Sequence, residues 1–289
     1  LPPPRRDAGR SCGVGVQVAR CSAKNPVAPP GARKRPAAGP ATTAPRGRMP
    51  SHEGRTPSAP AIRDNRPSPR ANVVSMSVER ILDPRLRERV VSAEHAASLI
   101  QPGETVAMSG FTGSGYPKAV PQCLAQRIEQ AHGRGEEFRI NLLTGASTAP
   151  ELDGALAKVD GIAMRMPFQS DPDARKRINA GKLDYLDIHL SHVAQHVWFG
   201  FYNEIDTAVV EVSAIHADGS LVPSTSVGNN KTWLDLAKKV IIEVNGWQPL
   251  GMDGMHDVYY GTALPPHRKP IPLVRGDDRI GQTTLRCDP

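Results

Sequence analysis

Near the middle of the chain, Ser109-Gly110-Phe111-Thr112-Gly113-Ser114-Gly115-Tyr116-Pro117-Lys118 places three glycines between a short apolar run and a helical pattern. Such a loop lets a ligand approach the backbone closely, and strand, Gly-rich turn, helix is the order in which α/β proteins build sites at sheet ends. Phosphate binding is the first chemistry it suggests, but the fit is poor. Gly113-x-Gly115 is followed by Tyr116, Pro117 and Lys118 with no third glycine, and Pro117 removes an amide that a phosphate would use. No Gly-Lys-Ser/Thr occurs in the loop. Hydride chemistry on a dinucleotide and a nucleoside-triphosphate cradle are both disfavoured.

Polar residues at other strand ends are the next candidates: Ser147 and Thr148 in one loop, Gln169, Ser170 and Asp171 in another. Ligands of open α/β sheets sit beyond the carboxyl ends of strands, so these groups could converge with Gly110, Gly113 and Gly115 on one small site. The same residues could cap helices, since Ser170 or Asp171 before Pro172 is a good N-cap arrangement. Glu211 and Glu243 each follow an apolar run and could face a cleft, although carboxylates there are more often solvated or paired. His189, His192 and His196 have helical spacing, yet no acid completes a HExxH-like set, and no metal site is expected. Ser114 lacks the spacing of a nucleophile elbow.

The elements that must position these groups are legible from periodicity. Ser92 with Glu94 starts a helix that runs to Ile100, and Pro102-Gly103 turns the chain. Strands are predicted over 106–108, 140–143, 162–166, 208–212 and 240–244, and helices over 120–132, 150–159, 172–180 and 230–239. This alternation predicts an α/β fold: an open, mostly parallel sheet wound by right-handed βαβ units, with helices on both faces. From Trp247 onward the chain is rich in Pro and Gly and poor in period.

Charge divides the chain in two. Residues 1–76 hold 14 Lys/Arg, three acids and 14 of the 28 prolines, whereas the remainder holds 22 basic and 26 acidic residues. The net charge of +7 therefore belongs to the N-terminal part, whose composition cannot bury enough apolar surface to fold. A disordered extension over 1–75 is expected, read as translation upstream of a start at Met49 or Met76, as a mitochondrial transit peptide, or as a basic arm for nucleic acid. Nucleic acid is the less favoured partner. No run reaches the length that spans a bilayer, so no membrane association is expected. Cys12, Cys21, Cys123 and Cys287 form no CxxC pair, which argues against a disulfide framework or zinc site and fits a reducing compartment.

Several segments together resemble the acetyl-CoA hydrolase/transferase group of class I coenzyme A transferases, which includes succinyl-CoA:acetate CoA-transferases. They are SGFTGSGYPKAVP from Ser109, LLTGASTAPELDG from Leu142, RMPFQSDPDARKRINAG from Arg165, DIHLSH from Asp187 and VPSTSVGNNKTWLDLAKKVIIEVNGWQ from Val222. GMHD from Gly254 and RIGQTTL from Arg279 extend the likeness from about Met76 to the end. The resemblance implies that 76–289 is the N-terminal domain of a fold with two similar α/β halves, the C-terminal domain being missing. It implies transfer of coenzyme A between acetyl- or succinyl-CoA and a small carboxylate such as acetate, with hydrolysis as a side or main activity. The acyl-CoA thioester is then a substrate, and no bound cofactor is expected. A glutamate nucleophile is expected beyond Pro289, so no catalytic residue lies in this chain, and the fragment alone would be inactive; the alternative is a non-catalytic binding or assembly module. Gly110, Gly113, Gly115, Ser147 and Ser170 match positions expected to line the carboxylate pocket. The role of Ser226-Val227-Gly228-Asn229-Asn230 stays open. The resemblance also implies a full-length homodimer in bacterial cytoplasm, a mitochondrial location being the alternative.

Overall fold

The computed structural model describes residues 78–260 and 266–287 except 147, together with Val16–Gln17. In chain order these residues form β1 Val16–Gln17, α1 Pro84–Arg87, β2 Val90–Val91, α2 Ala93–Ser98, β3 Thr105–Met108, α3 Ala119–Gly133 and β4 Ile140–Leu143. A π-turn, Pro150–Gly154, runs into α4 Ala155–Lys158, followed by β5 Ile162–Met166, α5 Pro172–Asn179, β6 Asp184–Tyr185 and α6 Leu190–Trp198. Then come β7 Thr207–Ile215, β8 Leu221–Pro223, α7 Asn230–Leu236, β9 Lys239–Val244 and a single 3-10 turn, Leu250–Met252. Of the expected disordered extension only β1 falls within the described residues.

The strands form one sheet in the order β2-β1-β9-β7-β3-β4-β5-β6, with β8 paired to β7. From β9 to β6 every neighbouring pair is parallel, while β1, β2 and β8 pair antiparallel. Alternate residues of the central strands supply two cores. Val106, Met108, Leu142, Val209 and Ile241 pack with α2, α3, α4 and α5 on one face. Ala107, Leu143, Ala208, Val210 and Ile242 pack with α6 and α7 on the other. The expected fold class, a mostly parallel sheet with helices on both faces, is the one observed. Each fully buried Leu or Ile in these cores contributes roughly 1.5–3 kcal/mol by leaving water.

Local chemistry starts most of the helices. Ser92 Oγ accepts from His95 N at 3.2 Å to open α2. Asp171 Oδ1 accepts from Asp173 N and Ala174 N at 2.9 and 3.0 Å, with Pro172 in the first turn of α5. The helix predicted over 150–159 instead opens as a π-turn, and α7 stops at Leu236 because Ala237 is already extended. Strand β7 is longer than predicted because the turn at Gly219, with φ of 83°, folds β8 back onto it. The short elements α1, β2 and β6 leave too little periodicity to read, and α6 was visible only as the spacing of three histidines. Cys123 is a free thiol, but Cys287 is disulfide-bonded, contrary to what the cysteine spacing suggested.

The loop after β4 is pinned by a fully buried ion pair. Arg165 Nε and Nη2 donate to Asp153 Oδ1 and Oδ2 at 2.8 and 3.1 Å, and Nη2 also donates to the Ala146 carbonyl at 3.1 Å. Thr148 N donates to Asp153 Oδ2 at 2.9 Å. Burial works to raise the Asp153 carboxyl, but the Arg165 guanidinium and the Thr148 amide outweigh it and hold it below its ordinary range. Arg165→Met, which strands the Asp153 charge, should lower unfolding free energy by about 3–5 kcal/mol in a urea titration. The double change Arg165→Met with Asp153→Leu should recover much of that loss. A single variant that unfolds at the wild-type urea midpoint would show that the pair carries no such weight.

Candidate functional site

Strand β3 lies between β4 and β7, and the winding direction reverses there. From β3 the chain steps outward through β4, β5 and β6 with α3, α4 and α5 on one face. It then returns through α6 to add β7 and β9 on the other side of β3. Such a reversal leaves a crevice at the carboxyl ends of the two central strands, β3 and β7. The glycine loop follows β3 directly, so it forms the floor of that crevice.

Three loops meet there almost backbone to backbone. A Cβ on Gly110, which has φ of 132°, would lie 2.8 Å from Tyr116 Cβ and 2.9 Å from Thr148 Cγ2. A Cβ on Gly145 would lie 2.4 Å from the Gly110 carbonyl oxygen, and one on Gly228 3.3 Å from the same oxygen. Gly115, with φ of 61°, has Ser226 against it, whereas Gly113 at φ of 76° has open space. The loops after β3, β4 and β8 thus share one junction. Beside it opens a cavity of about 340 Å³ lined by Ala194, Val227, Asn229, Lys231, Asp257 and Tyr259, among others.

Beneath the glycine loop lies a group of charges. Glu211 on β7 and Glu243 on β9 are partners in the parallel register, and both are buried. Glu243 Oε1 accepts from Lys118 N at 2.7 Å and Ala119 N at 3.1 Å, while Oε2 accepts from Ala119 N at 3.2 Å and Val120 N at 3.0 Å. It therefore caps α3, whose own N-cap residue, Lys118, makes no side-chain cap bond. Burial raises the Glu243 carboxyl above its ordinary range; the three amides oppose the shift and the Glu211 charge adds to it. Glu211 Oε2 accepts from Lys118 Nζ at 2.6 Å and from Asn245 Nδ2 at 3.1 Å. Lys118 Nζ also stands 4.1 Å over the Tyr116 ring, whose hydroxyl donates to Glu151 Oε2 at 3.1 Å. Burial first, and then the Glu151 charge, push the Tyr116 hydroxyl well above its ordinary pKa.

Of the residues singled out from sequence, Gly110 and Gly115 sit at the crowded junction and Gly113 at the open tip. Ser147 lies outside the described residues. Ser170 is exposed just before α5, its carbonyl accepting from Arg175 Nη2 at 3.1 Å, and Asp171 supplies the cap. His189 caps α6 through Nδ1, and its ring is tilted against that of His192, which stacks on His196. Among the described residues no group of three or more His, Cys, Asp or Glu could hold a metal ion. Sequence reasoning missed Lys118, Ser109 and Asn245. It noticed Glu211 and Glu243 without foreseeing their pairing; an acid inside an apolar run, as in Val240-Ile241-Ile242-Glu243-Val244, was the available signal.

Residues 80–263 match the acetyl-CoA hydrolase/transferase N-terminal domain. The chain is 44% identical over 209 residues to succinyl-CoA:acetate CoA-transferase of Clostridium kluyveri, covering 72% of this chain and 38% of that protein. It is 40% identical over 199 residues to propanoyl-CoA:succinate CoA transferase of Escherichia coli, covering 69% of this chain and 40% of that one. Acetyl-CoA hydrolase of Schizosaccharomyces pombe is 38% identical over 220 residues, covering 71% and 42% respectively. The chain thus spans about two-fifths of the length of these curated relatives.

Two outcomes follow from the junction and its capping acid. Gly113→Ala should cost about 1 kcal/mol of left-handed strain, and Gly115→Ala about 3 kcal/mol or more because overlap with Ser226 adds to the strain. Denaturant midpoints of the two variants check the order. For Glu243, a folded pKa above the unfolded one means that the native state holds the extra proton between the two values. Its contribution to stability therefore falls as pH rises through that window and is constant above it. The wild-type unfolding free energy minus that of Glu243→Gln should decline as pH rises from the ordinary carboxylate value of 4.5. A flat or rising difference would show that the amide bonds outweigh burial.

Proposed function

The chain belongs to the acetyl-CoA hydrolase/transferase family, and on that premise we propose that it forms one wall of a site that exchanges coenzyme A between an acyl-CoA and a small carboxylate. Acetyl- or succinyl-CoA would be the donor and acetate an acceptor, with water taking the acceptor's place in hydrolysis. The observation that carries this reading is the three-loop junction at the sheet's reversal point, built from the segments with family likeness. The coenzyme A thioester is a substrate in this scheme, and no resident cofactor takes part.

The chemistry proceeds through covalent intermediates that divide one hard exchange into easier steps. A glutamate carboxylate attacks the thioester carbonyl, coenzyme A leaves as thiolate, and an acyl-glutamyl anhydride remains. The thiolate then attacks the glutamyl carbonyl of the anhydride, releasing the donor's carboxylate and leaving a glutamyl-CoA thioester for the acceptor to attack. Glu211 and Glu243 are poorly suited to be that nucleophile, one being paired with Lys118 and the other committed to α3. The nucleophile is assigned to the part of the relatives' length outside this chain. Gly110, Gly113, Gly115, Ser147 and Ser170 are assigned to orienting the small carboxylate, where correct placement of reactants lowers the barrier.

In this reading 76–289 is the N-terminal domain, the partner of a C-terminal domain in a homodimeric enzyme of the bacterial cytoplasm. Among the described residues no helix is long and apolar enough to cross a membrane. The protein expressed from its complete gene should exchange labelled acetate into acetyl-CoA and succinyl-CoA, and hydroxylamine should trap one glutamate as its hydroxamate. Absence of both exchange and thioester hydrolysis across these donors would sink the proposal.

A further inference from the structure

Glu211 ties the glycine loop to β7 twice. Its backbone N–H donates to Ser109 Oγ at 2.9 Å, and the Ser109 hydroxyl donates to the Gly115 carbonyl at 2.8 Å. Its side chain holds Lys118 Nζ, which in turn donates to the Tyr116 carbonyl at 2.8 Å. Asn245 fixes the same carboxylate oxygen from β9. Two consecutive carbonyls of the loop are thus drawn toward the end of β7 through one fully buried residue.

A trans peptide carries its C=O and N–H on opposite sides. Turning the Gly115 carbonyl toward Ser109 therefore turns the Tyr116 N–H away from it. The Ser114 carbonyl is held by Phe111 N at 2.8 Å and Ser226 Oγ at 3.0 Å, which turns the Gly115 N–H away from those donors. Gly115 and Tyr116 are buried, and neither N–H has a hydrogen-bond partner among the described residues. Unpaired N–H groups in such positions are rare, and adjacent pairs with fixed orientation are the means by which backbones receive an oxyanion or carboxylate. Lys118 commits two of its three ammonium hydrogens to Glu211 and Tyr116, and its side chain is one-third exposed. Of the acids around the loop, Glu211 is paired through Oε2 with Lys118 and Asn245 while its buried Oε1 has no partner, Glu243 accepts from the amides of α3, and Glu151 accepts from the Tyr116 hydroxyl.

We propose that the Gly115 and Tyr116 N–H groups are the donor pair that binds the substrate carboxylate, and that Glu211 is the positioning residue that aims them. The identity of the ligand as a small carboxylate rests on the function proposed above; the donor pair and its tethers rest on geometry. Gly115 is required at this place by its positive φ and by Ser226 against it. Glu211 touches no reacting atom and acts through Ser109 and Lys118.

The test uses the protein expressed from its complete gene. Glu211→Ala should raise KM for acetate about tenfold or more while KM for the acyl-CoA changes far less, as expected when one donor set is misaligned. Glu211→Gln should restore most of that loss, because its amide oxygen still accepts from Lys118. Ser109→Ala, which cuts the Gly115 tether and leaves the charge pair in place, should shift KM in the same direction. Independently of activity, sodium acetate added to 15N-labelled wild-type protein should move the Gly115 and Tyr116 amide resonances, and the Glu211→Ala protein should lose that response. An unchanged KM for acetate in folded Glu211→Ala, or wild-type amides that ignore acetate, would overturn the inference. Acetate-responsive amides without any transfer of coenzyme A would instead overturn the proposed function and leave the donor pair standing.

Discussion

The first N–H groups of α3 find their acceptor on a strand far away in sequence, and this one contact locks the site to the sheet. Glu243 reaches from β9 under β7 and receives the amides of Lys118, Ala119 and Val120. A carboxylate at a helix N-terminus is favoured by the macrodipole as well as by hydrogen bonding, which helps to offset its removal from water. The glycine loop ends where that capped helix begins. Its exit is therefore fixed to β9, while its middle is fixed to β7 through Glu211. A loop so held has little freedom to rearrange when a ligand arrives, which is the condition for placing donors in advance.

The same rigidity explains the glycines. Gly110, Gly145 and Gly228 come from three loops and approach so closely that a methyl group on Gly145 would overlap the Gly110 carbonyl. Side chains at these points would force the loops apart and open the junction. The buried Arg165–Asp153 pair plays a corresponding part for the loop after β4, where it secures the Ala146 carbonyl and the Thr148 amide on either side of residue 147. The loops after β3 and β4 thus each have a buried anchor, and the exposed tip at Gly113 is left without one.

Much of the fold was legible in the sequence. Strands β4 and β5 fall at the predicted limits because short, mostly apolar runs bounded by turn residues have few other uses in a globular chain, even with Asn141 and Arg165 among them. Helix α3 was visible from Val120, Leu124 and Ile128, which recur on one face. The π-turn at Pro150–Gly154 and the hairpin that adds β8 were not visible, since neither changes the local pattern of apolar residues. Strand β6 and helix α1 were too short to carry a period at all. Helix α6 showed itself only through the spacing of its histidines, of which His189 caps the helix and His192 stacks on His196.

For the site, the sequence by itself determined the ingredients: a glycine loop between a strand and a helix, hydroxyls at strand ends, and acids embedded in apolar runs. These are chain-local properties, set by backbone conformational freedom and by the alternation of side chains along a strand. Only the tertiary structure decided which of them meet. Lys118 and Glu211 are 93 residues apart, and Lys118 and Glu243 125, so their contacts depend on strand order and register. Parallel pairing puts Glu211 beside Glu243, and the reversal of winding at β3 brings both beneath the glycine loop. Registry between distant strands is fixed by the packing of two whole cores, and no window of sequence contains that information.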